Sequence, residues 1–202
     1  VKGGEGAELA IEAAAAVIAK KLARGEFGLS DVLATEIVIA VRGRILAAAE
    51  ATGLKARDYA CTFLGLLSTK NGTLVLQIGD GAVVVDCGSG LEVAVVPMSG
   101  EYANMTHFVT DEDAVTLLVT KTYPDRALKV AAFTDGIQRI ALNLATNTPH
   151  EPFFAPFFEG MAKATAEQED DLANLLVKFL GSARVNERTD DDKTLALALW
   201  RH

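Results

Sequence analysis

ACTFLGLLSTKNGTLVLQIGDGAVVVDCGSGLEVAV, residues 60–95, decides the fold class. Ala60 to Ser68, Thr73 to Ile78, Ala82 to Asp86 and Leu91 to Val95 are strand-length runs rich in Val, Leu, Ile and Thr. Between them stand Asn71-Gly72, Gly79-Asp80-Gly81 and Gly88-Ser89-Gly90, each a turn signal. Connections this short leave no room for crossover helices, so the stretch predicts an antiparallel meander.

On the N-terminal side the period changes. Glu5 to Arg24 is Ala-rich, with Leu9, Ala13, Ala16, Val17 and Lys20 at helical spacing, and Gly25 closes it. Ser30 reads as the N-cap of a second helix running to about Ala51, on which Ile37, Val41, Ile45 and Leu46 recur at helical steps despite Gly43.

On the C-terminal side, Pro97 to Ala114 is irregular, with a short strand expected around His107 to Val109. Val115 to Lys121 and Leu128 to Phe133 are the next strands, and a helix begins near Gly136 with Ile137, Ile140 and Ala141. Pro149, Pro152 and Pro156 punctuate the backbone of a segment whose Phe153, Phe154, Phe157 and Phe158 pack through aromatic contacts. Glu167 to Leu180 is an amphipathic helix with Leu172, Leu175, Leu176 and Phe179 on one side, and Thr194 to Trp200 is a final strand. Two helices, several short antiparallel strands, a helix and a late strand predict one α+β domain over residues 1–202, its sheets covered by helices.

Composition narrows the function. Half of the 202 residues are hydrophobic, which excludes a disordered chain. The net charge of −8 disfavours nucleic acid and anionic membranes as partners, although bound cations reverse that sign locally. No apolar run reaches the roughly 18 residues of a membrane span. The opening VKGGEGAELAIEAAAAVIAKKLARG is unlike a secretory leader, and Cys61 and Cys87 form no disulfide framework or CxxC knuckle; the expectation is a reduced, cytoplasmic setting. There is no P-loop, dinucleotide fingerprint or zinc-protease helix.

Two acidic positions remain. Asp135 comes directly after Val130-Ala131-Ala132-Phe133-Thr134, at the mouth of an apolar strand, and Asp190-Asp191-Asp192 precedes the last one. Carboxylates at strand ends are suited to hard divalent cations, which prefer oxygen ligands.

The ordered set Gly3-Gly4-Glu5-Gly6-Ala7-Glu8-Leu9-Ala10, Cys61-Thr62, Gln77-Ile78-Gly79-Asp80-Gly81, Gly100-Glu101-Tyr102-Ala103-Asn104, Thr134-Asp135-Gly136-Ile137 and Asp191-Asp192-Lys193-Thr194 resembles the metal-dependent protein phosphatases of the PP2C or PPM type, in their compact bacterial branch. That resemblance implies a four-layer αββα sandwich with predominantly antiparallel central sheets. It implies hydrolysis of phosphoserine and phosphothreonine monoesters in a phosphorylated protein substrate, by water activated on two Mn²⁺ or Mg²⁺ ions. Asp135 and Asp191 match the family's metal-binding acids. A third family acid belongs to an Asp-Gly-x-Gly motif upstream of the opening helix and is not among these residues, so the domain is expected to be N-terminally incomplete. A noncatalytic regulatory or phosphoprotein-binding domain is the alternative, and an interaction module built on Phe153 to Phe158 is another.

Each residue also carries a plainer reading. Asp135 is either a metal ligand or a helix-capping aspartate, and Asp191 either a ligand or part of an acidic turn. Asp80 either supports the active site or forms a turn, and Asp58 is a weaker candidate for a further metal. Arg139 stands where the family's Asp-Gly-x-x-Asp pattern has an acid, which argues against a third metal site of the ordinary kind. His107 lacks a local acid-base partner, and Cys61 reads as packing because no CxxxxxR cradle accompanies it.

Overall fold

Ser30 has extended backbone and its side-chain oxygen accepts from the Leu33 N–H at 3.4 Å, which starts a helix where the sequence placed its cap. The computed structural model describes residues 2–96 and 106–201. Its helices are α1 (Gly3–Arg24), α2 (Asp31–Thr52), α3 (Asp135–Ala141), α4 (Glu151–Lys163), α5 (Glu169–Leu180) and α6 (Ala183–Asn186). Its strands are β1 (Phe63–Thr69), β2 (Gly72–Ile78), β3 (Ala82–Asp86), β4 (Glu92–Val93), β5 (Val119–Tyr123), β6 (Lys129–Phe133), β7 (Leu142–Asn143), β8 (Thr148–Pro149) and β9 (Leu195–Leu199). The fold class is α+β, and every strand pairing is antiparallel among the described residues.

The chain forms two compact units. The first comprises Val1–Asp80 and Pro97–Pro124. Its sheet has the order β1-β2-β5, with Phe63 opposite Ile78 and Leu74 opposite Thr122. Helix α2 turns Leu33, Ile37, Val38, Val41 and Ile45 inward, where they meet Leu74, Leu76 and Ile78 of β2 and Ala10 and Ala14 of α1. Ala at those α1 positions lets the two helices lie close, and Gly25 and Gly53 end both helices in the left-handed conformation.

The second unit comprises Gly81–Val96 and Asp125–His202. Its sheet has the order β4-β3-β6-β9. Ala82, Val84, Ala131, Phe133 and Leu195 cluster with Ile137 of α3 and with Phe154 and Phe158 of α4. Helix α5 buries no residue fully, and a cavity of about 1040 Å³ lies among Phe157, Met161, Leu172, Leu176, Phe179 and Trp200.

Three expectations need correction. The four strands of residues 60–95 are not one meander, because β1 and β2 belong to one sheet while β3 and β4 belong to the other. No strand forms at His107 to Val109, where the Asp111 carboxylate accepts the Phe108 N–H at 2.8 Å and the Asp111 N–H returns to the Phe108 carbonyl at 3.0 Å. The segment around Pro156 is not broken but runs as α4, with Pro152 in the first turn, where an N–H has no helical partner, and Pro156 inside. An interior proline costs roughly 3 kcal/mol, a penalty offset by the ring contacts of Phe153, Phe154, Phe157 and Phe158. No described helix is long and apolar enough to cross a membrane.

Candidate metal centre

Strands β6 and β9 are antiparallel, and Phe133 at the end of β6 faces Leu195 at the start of β9. The chain leaving β6 therefore adjoins the chain entering β9. Thr134 and Thr194 extend the pairing by one step, the Thr134 N–H donating to the Thr194 carbonyl at 3.2 Å. Asp135 then opens α3, and Asp191 sits three residues before Thr194 in the segment leading to β9.

Thr134, not Asp135, occupies the N-cap position, so Asp135 is the first helical residue. Asp135 Oδ1 accepts the N–H of Gly136 at 2.9 Å. Asp191 Oδ1 likewise accepts the N–H of Asp192 at 2.8 Å, while the Asp191 N–H donates to Thr189 Oγ1 at 3.3 Å. Both aspartates are exposed.

Gly136 brings the two segments together. A Cβ there would collide with the Asp192 carbonyl oxygen and lie 3.3 Å from the Cβ of Asp191. The glycine is thus required by the approach of backbone to backbone.

The corner is negative. Asp135, Asp190, Asp191 and Asp192 share it with Lys193, whose ammonium donates to Asn186 Oδ1 at 2.9 Å and to the Asp191 carbonyl at 3.3 Å. Among the described residues no group of three or more His, Cys, Asp or Glu stands ready to enclose an ion. Asp135 and Asp191 offer hard oxygen donors, the kind that Mg²⁺ and Mn²⁺ prefer, and an ion held by two carboxylates would complete its shell with water.

The other candidates each have a local role. Asp58 closes a 3₁₀ turn, its Oδ2 accepting the Lys55 N–H at 3.0 Å. Asp80 Oδ2 accepts the Thr106 hydroxyl at 2.6 Å. His107 Nδ1 is 3.9 Å from Asp111 Oδ2. Burial pushes the Cys61 thiol up to about 11, which keeps it protonated and unsuited to nucleophilic attack. Arg139 is exposed on α3. The motif Gly100-Glu101-Tyr102-Ala103-Asn104 lies outside the described residues. Sequence reasoning singled out the acids of this corner and passed over the Thr134 hydroxyl.

Comparison with known proteins supplies the family. A family model described as Protein phosphatase 2C matches residues 1–181. Serine/threonine-protein phosphatase 3 of Escherichia coli (strain K12) is 63% identical over 199 residues, covering 98% of this chain and 79% of that protein. Among solved structures, the catalytic domain of the serine threonine protein phosphatase PstP in complex with two manganese ions aligns with a TM-score of 0.52 at 16% identity, covering 92% of this chain and 80% of that one. A bacterial serine phosphatase carrying one arginine substitution aligns with a TM-score of 0.52 at 13% identity, over 91% of this chain and 77% of that one. At such identities the two structures speak for the fold alone, whereas the matched family model and the Escherichia coli relative show descent: the chain belongs to the protein phosphatase 2C family.

Proposed function

We propose that residues 1–202 act as one phosphatase domain that hydrolyses phosphoserine and phosphothreonine monoesters of proteins, with Asp135 and Asp191 holding part of a pair of Mn²⁺ or Mg²⁺ ions. The observation that carries this reading is the convergence of those two residues at the joined ends of β6 and β9. The family match runs through both compact units, which supports reading them as one functional domain.

Electrostatics supports the metal requirement independently of the family. A phosphate monoester is dianionic near neutral pH, and a corner bearing four aspartates repels it. Cations held by those carboxylates reverse the sign. When bound, a divalent cation also lowers the pKa of water toward neutrality and neutralises charge developing on the transferred phosphoryl oxygens. The chain's own contribution is to hold Asp135 on a helix start anchored by the Phe133, Ile137 and Phe154 core, and Asp191 on a segment pinned beside it. Nothing in the comparisons favours a noncatalytic role.

The test is phosphate release from phosphopeptides by the purified protein with Mn²⁺ or Mg²⁺. Asp135→Asn and Asp191→Asn should each lower kcat/KM by about 10²-fold or more while leaving the fold intact. Arg139→Ala, an exposed change, should stay within about threefold of the unsubstituted rate. A folded, metal-loaded protein that releases no phosphate from any phosphopeptide or small ester would remove the enzymatic reading.

A further inference from the structure

We propose that Thr134 is a positioning residue for this centre: its hydroxyl clasps the segment carrying Asp191 onto the strand end carrying Asp135. The proposal rests on the reading of those two aspartates as metal ligands.

A Ser or Thr before a helix ordinarily caps it, accepting a hydrogen bond from the first turn. Thr134 makes no such bond with α3. Its Oγ1 instead accepts the N–H of Thr194 at 3.1 Å and donates to the carbonyl of Asp192 at 3.2 Å. One hydroxyl thereby uses its donor and an acceptor lone pair on backbone groups flanking Lys193. With the Thr134 N–H donating to the Thr194 carbonyl, three hydrogen bonds join this residue to the segment before β9.

The clasp has a second jaw. Gly136 receives the Asp192 carbonyl against its bare Cα, so the residues on either side of Asp135 both grip the backbone just past Asp191. Without the hydroxyl, the Thr194 N–H and the Asp192 carbonyl turn to water. Asp191 then keeps the Thr189 contact and the Lys193 ammonium on its carbonyl, neither of which refers to Asp135. Two carboxylates that serve one ion pair need a separation fixed to within about 0.5 Å. The ladder ends at Phe133 and Leu195, and beyond the single backbone bond from Thr134 to Thr194 it is the hydroxyl, together with the Gly136 approach, that extends that precision toward the acids.

The experiment compares Thr134→Val, which removes the hydroxyl at nearly constant shape, with Thr134→Ser, which keeps it. Mn²⁺ alone is titrated by calorimetry, and exchange of the Thr194 amide is tracked by NMR in the metal-free protein. Thr134→Val should weaken Mn²⁺ binding about 10- to 100-fold and speed Thr194 amide exchange about tenfold or more, with the melting temperature nearly unchanged; Thr134→Ser should retain both properties. Should Thr134→Val fold poorly, Thr134→Ala makes the same deletion without the added methyl group. Unchanged Mn²⁺ affinity and unchanged exchange in the hydroxyl-free variant, or a Ser variant as impaired as Val, overturns the clasp. A folded, unsubstituted protein that binds no Mn²⁺ overturns instead the metal reading on which the positioning role stands.

Discussion

Asp86 and Lys129 are cross-strand partners at the last paired position of β3 and β6, and the Lys129 ammonium donates to Asp86 Oδ2 at 3.1 Å. Asp86 Oδ1 takes the N–H groups of Gly88 at 2.8 Å and Gly90 at 3.1 Å, so one buried carboxylate organises the turn between β3 and β4. Burial pushes this carboxyl up, but the Gly88 N–H, the Lys129 ammonium and the Gly90 N–H together bring it below its ordinary value of 3.8. A folded value below the unfolded one means that the carboxylate's contribution is complete above 3.8 and is lost as the pH falls through the folded value. Asp86→Asn should therefore destabilise by about 1–2 kcal/mol near neutral pH. The gap from the unsubstituted protein should close in strong acid. Urea unfolding of both proteins across the acid range measures it, and a gap that widens on acidification would contradict the assignment.

Gly136→Ala should destabilise the second unit by about 1–3 kcal/mol, since a methyl group there displaces the Asp192 carbonyl. Mn²⁺ affinity should fall with it. Chemical unfolding and a Mn²⁺ titration check the two effects separately, and unchanged values for both would mean that the approach at Gly136 is looser than described.

Phe154 is fully buried, 6.0 Å from the Phe133 ring and 4.9 Å from the Phe153 ring. Phe179 touches Phe153 and Phe157 but also borders the cavity beside α5. Phe154→Ala should cost about 3–5 kcal/mol, and Phe179→Ala less than half as much because less of its surface leaves water on folding. The ranking is read from unfolding midpoints, and equal losses would show that α5 is packed more tightly than its half-exposed face indicates.

Local signals were legible where local chemistry decides. Ser30 caps α2, and Asn71-Gly72 joins β1 to β2 as a hairpin. Gly79-Asp80-Gly81 carries the same kind of signal yet leads to a different sheet, because β2 takes β5 as its other neighbour and β3 takes β6. Burial hides this choice: β2 is buried at every position, Thr73 and Gln77 included, so no alternation marks which face meets the helices. That Asp135 and Asp191 stand at strand ends can be read from nearby residues, but their common corner comes only from the pairing of β6 with β9. The role of Thr134 was less legible still, since its hydroxyl bonds to backbone atoms 58 and 60 residues away, and backbone partners leave no trace in side-chain identity.

The switch of sheet between β2 and β3 also bears on how the protein is born. On the ribosome, β3 and β4 emerge before β5 has closed the first sheet, and they wait for β6 to cover their flank. A lone hairpin is marginal in water, and at roughly 5–20 residues per second the wait lasts seconds. During it, Val83, Val84 and Val85, all buried in the finished protein, stay open to the wrong partner, so slow synthesis over this stretch raises the risk of mispairing.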